Sequence, residues 1–314
     1  MYSFTSRILI LVKVIEVLMM LGRKHIKFIV ALGLVNGLSG CGALGIHNPD
    51  HGRLLATGGV SQVEGAAGSG LSPWALISGY GSEDSIGGAA YYTQSNLDDF
   101  KFQSAGGSVG IKDRVEISYA KQTFDTGSTG PKLGLRGSYK FKQDIIGAKV
   151  RVLGNAVYDQ DTWMPQVSVG AQYKKASDPA LLRALGARND EGLDFYASAT
   201  KLALNKNLLI GATLRGTKAN QLGLLGFGGD KNNKYKMQFE GSAALMLAKN
   251  VVVGADYRTK PDNLGFAKEQ DAKAAYIAFF PSKHLSVTLA GVDMGDIALQ
   301  GRQRGGYVSI QTGF

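Results

Sequence analysis

The chain has 314 residues, with 43 glycines, 13 tyrosines and 13 phenylalanines against 7 prolines and one cysteine, and a net charge of +10. Glycine is costly inside a helix, so this mixture disfavours a helical architecture, and a lone cysteine excludes an internal disulfide framework and a cysteine-rich zinc site. No apolar run after residue 40 approaches the roughly 20 residues of a membrane-spanning helix, which argues against a helical inner-membrane protein.

The front end reads as an export signal. Arg23, Lys24, His25 and Lys27 precede an apolar stretch from Phe28 to Leu38, a basic region followed by a hydrophobic one. Residues 1–19 hold a second apolar run broken by Lys13 and Glu16, so Met19 or Met20 is read as the true start and 1–40 as signal. Leu38-Ser39-Gly40-Cys41 resembles the bacterial lipobox, whose cysteine is acylated; ordinary cleavage after Gly42, beside small residues, is the alternative. Residues 41–52 then form a short periplasmic segment ahead of a barrel over 53–314. Residues 1–40 contribute +4 of the net +10, leaving +6 for the remainder. That surplus suits outer-membrane lipid with its anionic lipopolysaccharide, or a small anionic solute. Nucleic acid is not expected, because the charges are spread along the chain.

After Asp50 the sequence breaks into short alternating runs punctuated by Gly, Asn, Asp and Pro. Fourteen strands are predicted: 53–61, 73–81, 85–94, 102–112, 115–124, 145–155, 165–174, 193–204, 208–217, 235–248, 251–258, 272–280, 285–293 and 305–314. Each is close to the nine to eleven residues that a tilted strand needs to cross a bilayer. In 165–174, Val167, Val169, Ala171 and Tyr173 alternate with Gln166, Ser168, Gly170 and Gln172; in 285–293, Leu285, Val287 and Leu289 alternate with Ser286, Thr288 and Ala290. A soluble sandwich shows the same alternation, so this pattern alone does not separate the two. The connections discriminate better. Short ones at 82–84, 112–114, 205–207, 249–250 and 281–284 alternate with long ones at 62–72, 95–101, 125–144, 175–192, 218–234, 259–271 and 294–304, and Tyr158–Trp163 is intermediate. Short periplasmic turns and longer external loops in alternation are the habit of a transmembrane barrel. Residues 178–187 read as a short helix within one external loop, and 132–141 is kept open as a further strand.

The last ten residues carry the same alternation to the chain end. Val308, Ile310, Thr312 and Phe314 form one face, and Tyr307, Ser309 and Gln311 the other. A final strand ending on Phe resembles the closing strand of an outer-membrane barrel, which implies that Val308, Ile310 and Phe314 are read by the barrel-insertion machinery. The fold class is therefore all-β, a closed antiparallel transmembrane barrel acting as a monomer.

The inward face collects Glu116, Ser118, Lys149, Arg151, Gln166, Gln172, Arg215, Gln238, Glu240, Asp256 and Arg258. Strand neighbours set Arg215 beside Glu240, Glu240 near Asp256 and Arg258, and Glu116 one strand from Lys149 and Arg151. Two readings fit: opposite charges pairing across strands to fill a narrow barrel, or a charged constriction that selects ions or small solutes. An enzyme is not expected. Beyond the signal the histidines are His47, His51 and His284, the first two ahead of the barrel and the last in a short turn, so a Ser-His-Asp relay lacks a placed base. No metal and no cofactor is expected: Gly79-Tyr80-Gly81 and Gly226-Phe227-Gly228-Gly229 do not complete a nucleotide loop.

Several stretches resemble a family of exported Gram-negative proteins known only by a domain-of-unknown-function label and regarded as outer-membrane barrels. They are Leu54–Val60, Glu64–Gly68 through Pro73-Trp74-Ala75, Tyr158–Trp163, Thr217–Asn220, Gly223–Gly229, Arg258–Leu264 and Gly301–Arg304. The likeness covers nearly all of 52–314 and implies the barrel but no assigned activity or ligand. The external loops among these stretches bring Lys218, Lys260, Arg302 and Arg304, read either as loop packing at the barrel mouth or as a basic cluster for an anionic solute or a lipopolysaccharide phosphate. The function expected is a narrow pore for ions or small solutes, the alternative a non-conducting barrel closed by its own loops and lumen charges.

Overall fold

The computed structural model describes residues 55–60 and 62–314. The export signal, its start at Met19 or Met20, Cys41, His47 and His51 lie outside the described residues. Twelve strands close into one antiparallel barrel. They are β1 (Ile86–Leu97), β2 (Lys101–Ile111), β3 (Val115–Asp125), β4 (Lys140–Leu153), β5 (Gln166–Ala176), β7 (Glu191–Ala203), β8 (Leu208–Thr217), β10 (Lys236–Ala248), β11 (Val251–Arg258), β12 (Ala272–Ser282), β13 (Leu285–Ile297) and β14 (Gln300–Gly313). Two short strands, β6 (Ala187–Asn189) and β9 (Phe227–Gly229), pair with each other outside the barrel, and a one-turn helix α1 (Pro179–Ala184) lies in the same loop as β6.

Closure runs through the chain's last strand. β14 pairs with β13 on one side and with β1 on the other, so that Tyr91 stands opposite Gln311 and Thr93 opposite Ser309. Pairing the first strand with the last leaves no unpaired sheet edge, which hydrocarbon would not tolerate. Alternation then separates the faces. Ile117, Ile146, Val169, Phe195, Ile210 and Leu214 are exposed on the outside, while Glu116, Ser118, Gln166, Ser168, Gln172 and Arg215 are buried inside. A closed antiparallel barrel, apolar outside and polar inside, is the form in which strands cross the bacterial outer membrane, and the outer membrane is where this protein resides.

Two of the fourteen predicted strands are not strands of the wall. Of 53–61 the described part, and 73–80 of 73–81, belong instead to a segment, residues 55–80, that enters the barrel and turns back within it. Its limbs are joined by Val60 N–H to Gly68 O (2.9 Å) and Trp74 N–H to Ala67 O (3.0 Å). Tyr80 N–H then reaches the carbonyl of Phe314 (2.9 Å), beside the start of β1. The other predicted strands coincide with barrel strands to within a few residues. The expected long connection 294–304 is strand almost to its tip, since β13 and β14 run on to Ile297 and Gln300. The stretch 132–141 is mostly loop, with β4 beginning at Lys140, and the predicted helix is α1. From β2 to β13 short and long connections alternate, defining a turn end and a loop end, except that 154–165, between β4 and β5, is long at the turn end. The expected long connection 95–101 is a tight turn of residues 98–100 at the loop end, and 62–72 lies within the inserted segment.

Candidate functional site

The lumen is the place where unusual chemistry gathers, and residues 55–80 occupy it. This segment contains one charged side chain, Glu64. A backbone without regular structure, buried inside a barrel, needs partners for its N–H and C=O groups, and the wall provides them. Glu116 of β3 accepts from the N–H of Ala67 (3.2 Å) and of Ser78 (2.8 Å). Asp256 of β11 accepts from Leu71 N–H (3.1 Å), and Thr200 of β7 from Ala75 N–H (2.9 Å). In the other sense, Gln166 and Ser168 of β5 donate to Ala75 O (2.7 and 2.6 Å), Gln122 of β3 to Val63 O (2.8 Å) and Thr213 of β8 to Pro73 O (3.0 Å). Trp74 is 2 % exposed and donates its indole N–H to Ser242 of β10 (2.8 Å).

The charges interlock around Glu64. Its carboxylate meets Lys174 Nζ (2.5 Å), Arg258 Nη1 (3.0 Å) and Arg215 Nη2 (3.5 Å). Asp194 pairs with Lys174 (2.8 Å) and Arg215 (3.4 Å), and Glu240 with Arg215 (2.5 Å) and Arg258 (3.3 Å). Three acids thus face three bases, all nearly inaccessible to solvent. The wall contributes all three bases but only two of the acids, so the set is neutral only with Glu64 in place. A second pair, Glu116–Lys149 (3.0 Å), lies nearby, with Lys149 also donating to Trp74 O (3.1 Å).

The structure therefore brings together Arg215, Glu240 and Arg258 as strand neighbours should be, and Glu116 with Lys149. Arg151 goes elsewhere: it pairs with Asp113 (2.8 Å) and Glu83 (3.5 Å) at the turn end. Register explains this, because Lys149 stands directly opposite Glu116 and Arg151 lies two residues further on. Asp256 binds the inserted backbone instead of joining Glu240 in the ion-pair set. Lys174 and Asp194 were missed, although the parity of Gln166, Ser168 and Gln172 extends to Lys174, and Asp194 alternates with Leu193 and Phe195. Glu64 carried no such signal.

Toward the loop end the lumen changes character. Phe100, Phe124, Phe141, Leu224, Leu225 and Ile297 form an apolar cluster there. The loop 218–235 folds inward over it, held by Lys174 Nζ and Gln143 Nε2 on Leu222 O (both 3.3 Å) and by Gln221 N–H on Glu269 (2.8 Å). Burial raises the Glu269 carboxyl above its ordinary pKa, opposed by the charge of Lys260 3.2 Å away.

The four loop cations do not converge. Lys260 is buried, bound to Glu269, Gln221 and the carbonyl of Met294. Lys218 lies over the ring of Tyr235 (5.0 Å), and Arg302 and Arg304 both engage Asp293 (2.7 and 3.2 Å). Lys218 and Lys260 lie in loops with no ladder to fix their spacing, whereas Arg302 and Arg304, expected in a loop, are strand residues of β14 paired with β13. In the closing strand Tyr307 and Ser309 are buried inside, while Val308 and Ile310 take the opposite face. Phe314 packs against Gly88 at the turn end, where His284 Nδ1 lies 2.7 Å from the carbonyl of Gly313. Among the described residues no group of three or more His, Cys, Asp or Glu could hold a metal ion.

Among curated proteins, no relative matches this sequence. The chain is similar to the solved KdgM porin in complex with disordered oligogalacturonate, at 10% identity and a TM-score of 0.46, covering 72% of this chain and 99% of that one. It is also similar to an outer membrane channel from Pseudomonas putida F1 (12% identity, TM-score 0.44, 73% and 95% covered). A third likeness is to outer membrane phospholipase A from Escherichia coli (10% identity, TM-score 0.40, 77% and 93% covered). Likenesses this remote carry no functional argument. The sequence itself matches the family described as protein of unknown function (DUF3034) over residues 57–311, from within the lumen segment to the closing strand, and the chain belongs to that family.

Proposed function

We propose that this protein is an outer-membrane barrel held shut by its own residues 55–80, with its short turns in the periplasm and its long loops outside, in contact with lipopolysaccharide. Of the two expectations, a narrow pore and a barrel closed from within, the second has the better support. The observation that carries it is the match between inserted segment and wall. Glu116, Gln122, Gln166, Ser168, Thr200 and Thr213 are spent on its backbone, and the charges that would have lined a constriction are neutralised around Glu64. An ion crossing this lumen has to displace buried, mutually satisfied groups, which is far costlier than shedding part of a hydration shell. A role in passing a small anionic solute has no support from Lys218, Lys260, Arg302 and Arg304, which are dispersed and mostly engaged.

The test is single-channel recording in a planar bilayer. The full-length protein is expected to be silent, and a variant lacking residues 57–78, with the barrel otherwise intact, to give conductance steps. Stable steps from the full-length protein at low voltage would overturn the closed reading and restore the pore.

A further inference from the structure

Above the inserted segment, at the loop end, the lumen encloses a chamber of about 120 Å³. Val63 and Leu71 of the inserted segment lie at its floor, Phe124 and Phe141 on its wall, and Leu222 and Leu225 under its roof. Five polar side chains also reach the lining; the Tyr307 hydroxyl has no partner among the described residues, and the other four are engaged. Thr93 bonds Ser309 (2.7 Å), Ser95 donates to Gly306 O (3.1 Å) and Thr126 to Tyr139 O (3.1 Å). Gln221 donates to Asp296 O (3.0 Å) and accepts from Lys260 (3.1 Å). A water held there would need two to four polar partners, and beyond the single Tyr307 hydroxyl the walls have none to spare.

The chamber is held open by its frame. Phe124, Phe141, Val292 and Tyr307 project from barrel strands whose spacing is fixed by the ladder, so the void cannot close by their approach. The roof is held in an unfavourable backbone. Gln221 and Leu222 adopt left-handed conformations (φ 44° and 62°) that side chains with a Cβ seldom take, and Glu269, Lys260 and Lys174 fasten the loop in that shape. The lining extends to Leu299, which is 65% exposed in the β13–β14 turn, so the chamber reaches the surface there.

We propose that this chamber binds one small uncharged molecule of hydrocarbon character, a single aromatic ring or a chain of a few carbons, entering beside Leu299. An engineered apolar cavity of roughly 150 Å³, lined by Leu, Ile and Phe, stays dry and takes up benzene or xenon. The mostly apolar lining disfavours a sugar-like or charged solute, whose polar groups would be left without partners. This site stands beside the closed-barrel reading and does not depend on it: conductance reports on the inserted segment, ligand occupancy on the chamber.

The experiment uses the full-length protein. Crystals pressurised with xenon are expected to show a xenon atom between Phe124, Phe141 and Leu225. In detergent solution, fluorobenzene is expected to show protein-dependent broadening of its fluorine resonance. Val292→Phe, which fills the chamber from β13, should abolish both; Leu225→Phe on the roof serves if the first variant does not fold, as judged by heat-modifiable gel mobility. Ordered water in the chamber, absence of xenon, or equal broadening in the wild type and the filled variant (detergent partitioning only) would each overturn the proposal.

Discussion

Replacing Glu64 with Gln keeps the shape of the side chain and removes only its charge, so it isolates what the ion network does for closure. In the wild type, Lys174, Arg215 and Arg258 share Glu64, Asp194 and Glu240. After the substitution three buried cations share two carboxylates, and one positive charge is left uncompensated at a site closed to solvent. Removing one partner of a buried pair typically costs about 3–5 kcal/mol. When the inserted segment leaves, water reaches the wall cations and that cost disappears, so it bears directly on the balance between inserted and released states. At about 1.4 kcal/mol per factor of ten, the shift toward release is roughly two to three and a half powers of ten. Salt should change it little, because screening acts weakly on buried charges. Single-channel recording of Glu64→Gln is expected to show frequent openings where the wild type is silent. Adding Arg258→Gln restores neutrality and should return much of the closure, a coupling that a double-mutant cycle reads. Should Glu64→Gln be as silent as the wild type in a correctly folded barrel, closure rests on the backbone sockets and the charge argument is wrong.

Three further outcomes follow from the same geometry. With Trp163 replaced by Phe, fluorescence reports only Trp74, which should emit in the blue and resist quenching by iodide; the Glu64→Gln change should expose it. Gly79→Ala places a methyl group 2.1 Å from Gly88 N at a residue with φ +77°; left-handed backbone alone costs about 1–2 kcal/mol in a residue with a Cβ, so the thermal midpoint should fall by at least that equivalent. The raised pKa of Glu269 means that the folded loop binds its proton more tightly than the unfolded chain does. The exchange protection of the Gln221 amide should therefore rise as pH falls through the interval between the raised and the ordinary carboxyl pKa. Glu269→Gln should flatten that dependence, and unchanged pH dependence in this variant would remove Glu269 as its source.

The wall of the barrel was legible because a strand that separates lipid from lumen imposes a strict local rule on its sequence. Val167, Val169 and Tyr173 against Gln166, Ser168 and Gln172 predict both the strand and the direction of each side chain, and the cross-strand meeting of Arg215 with Glu240 follows from register. Residues 73–81 mislead because Trp74-Ala75-Leu76-Ile77 is a short apolar run between Pro73 and Gly79, as a buried strand would be. A chain threaded through a barrel is surrounded on every side, so it too tolerates apolar and small residues throughout. Its distinguishing mark is a near absence of charge, with Glu64 alone among residues 55–80. Short periodic runs do not carry that mark; only the composition of the whole stretch does.

Parity says which side chains point inward but not what they find there. Glu116 is the sharpest case. Read along β3 it is a lumen carboxylate opposite Lys149, as fit for a constriction as for an ion pair. In the folded protein its two oxygens also receive the N–H groups of Ala67 and Ser78, whose positions no strand periodicity specifies. The same holds for Gln122, Gln166 and Ser168, which look like the polar lining of an aqueous channel and serve as acceptors and donors for a dry backbone. Where the inserted segment turns back, near Leu71, its demand for polar partners ends. Beyond that level the wall residues change to Phe124, Phe141 and Val292, which line the chamber. The wall is thus polar where it meets the buried backbone groups of residues 55–80, and apolar both where Leu209, Val252 and Phe280 pack with Val60, Trp74 and Leu76 and along the chamber.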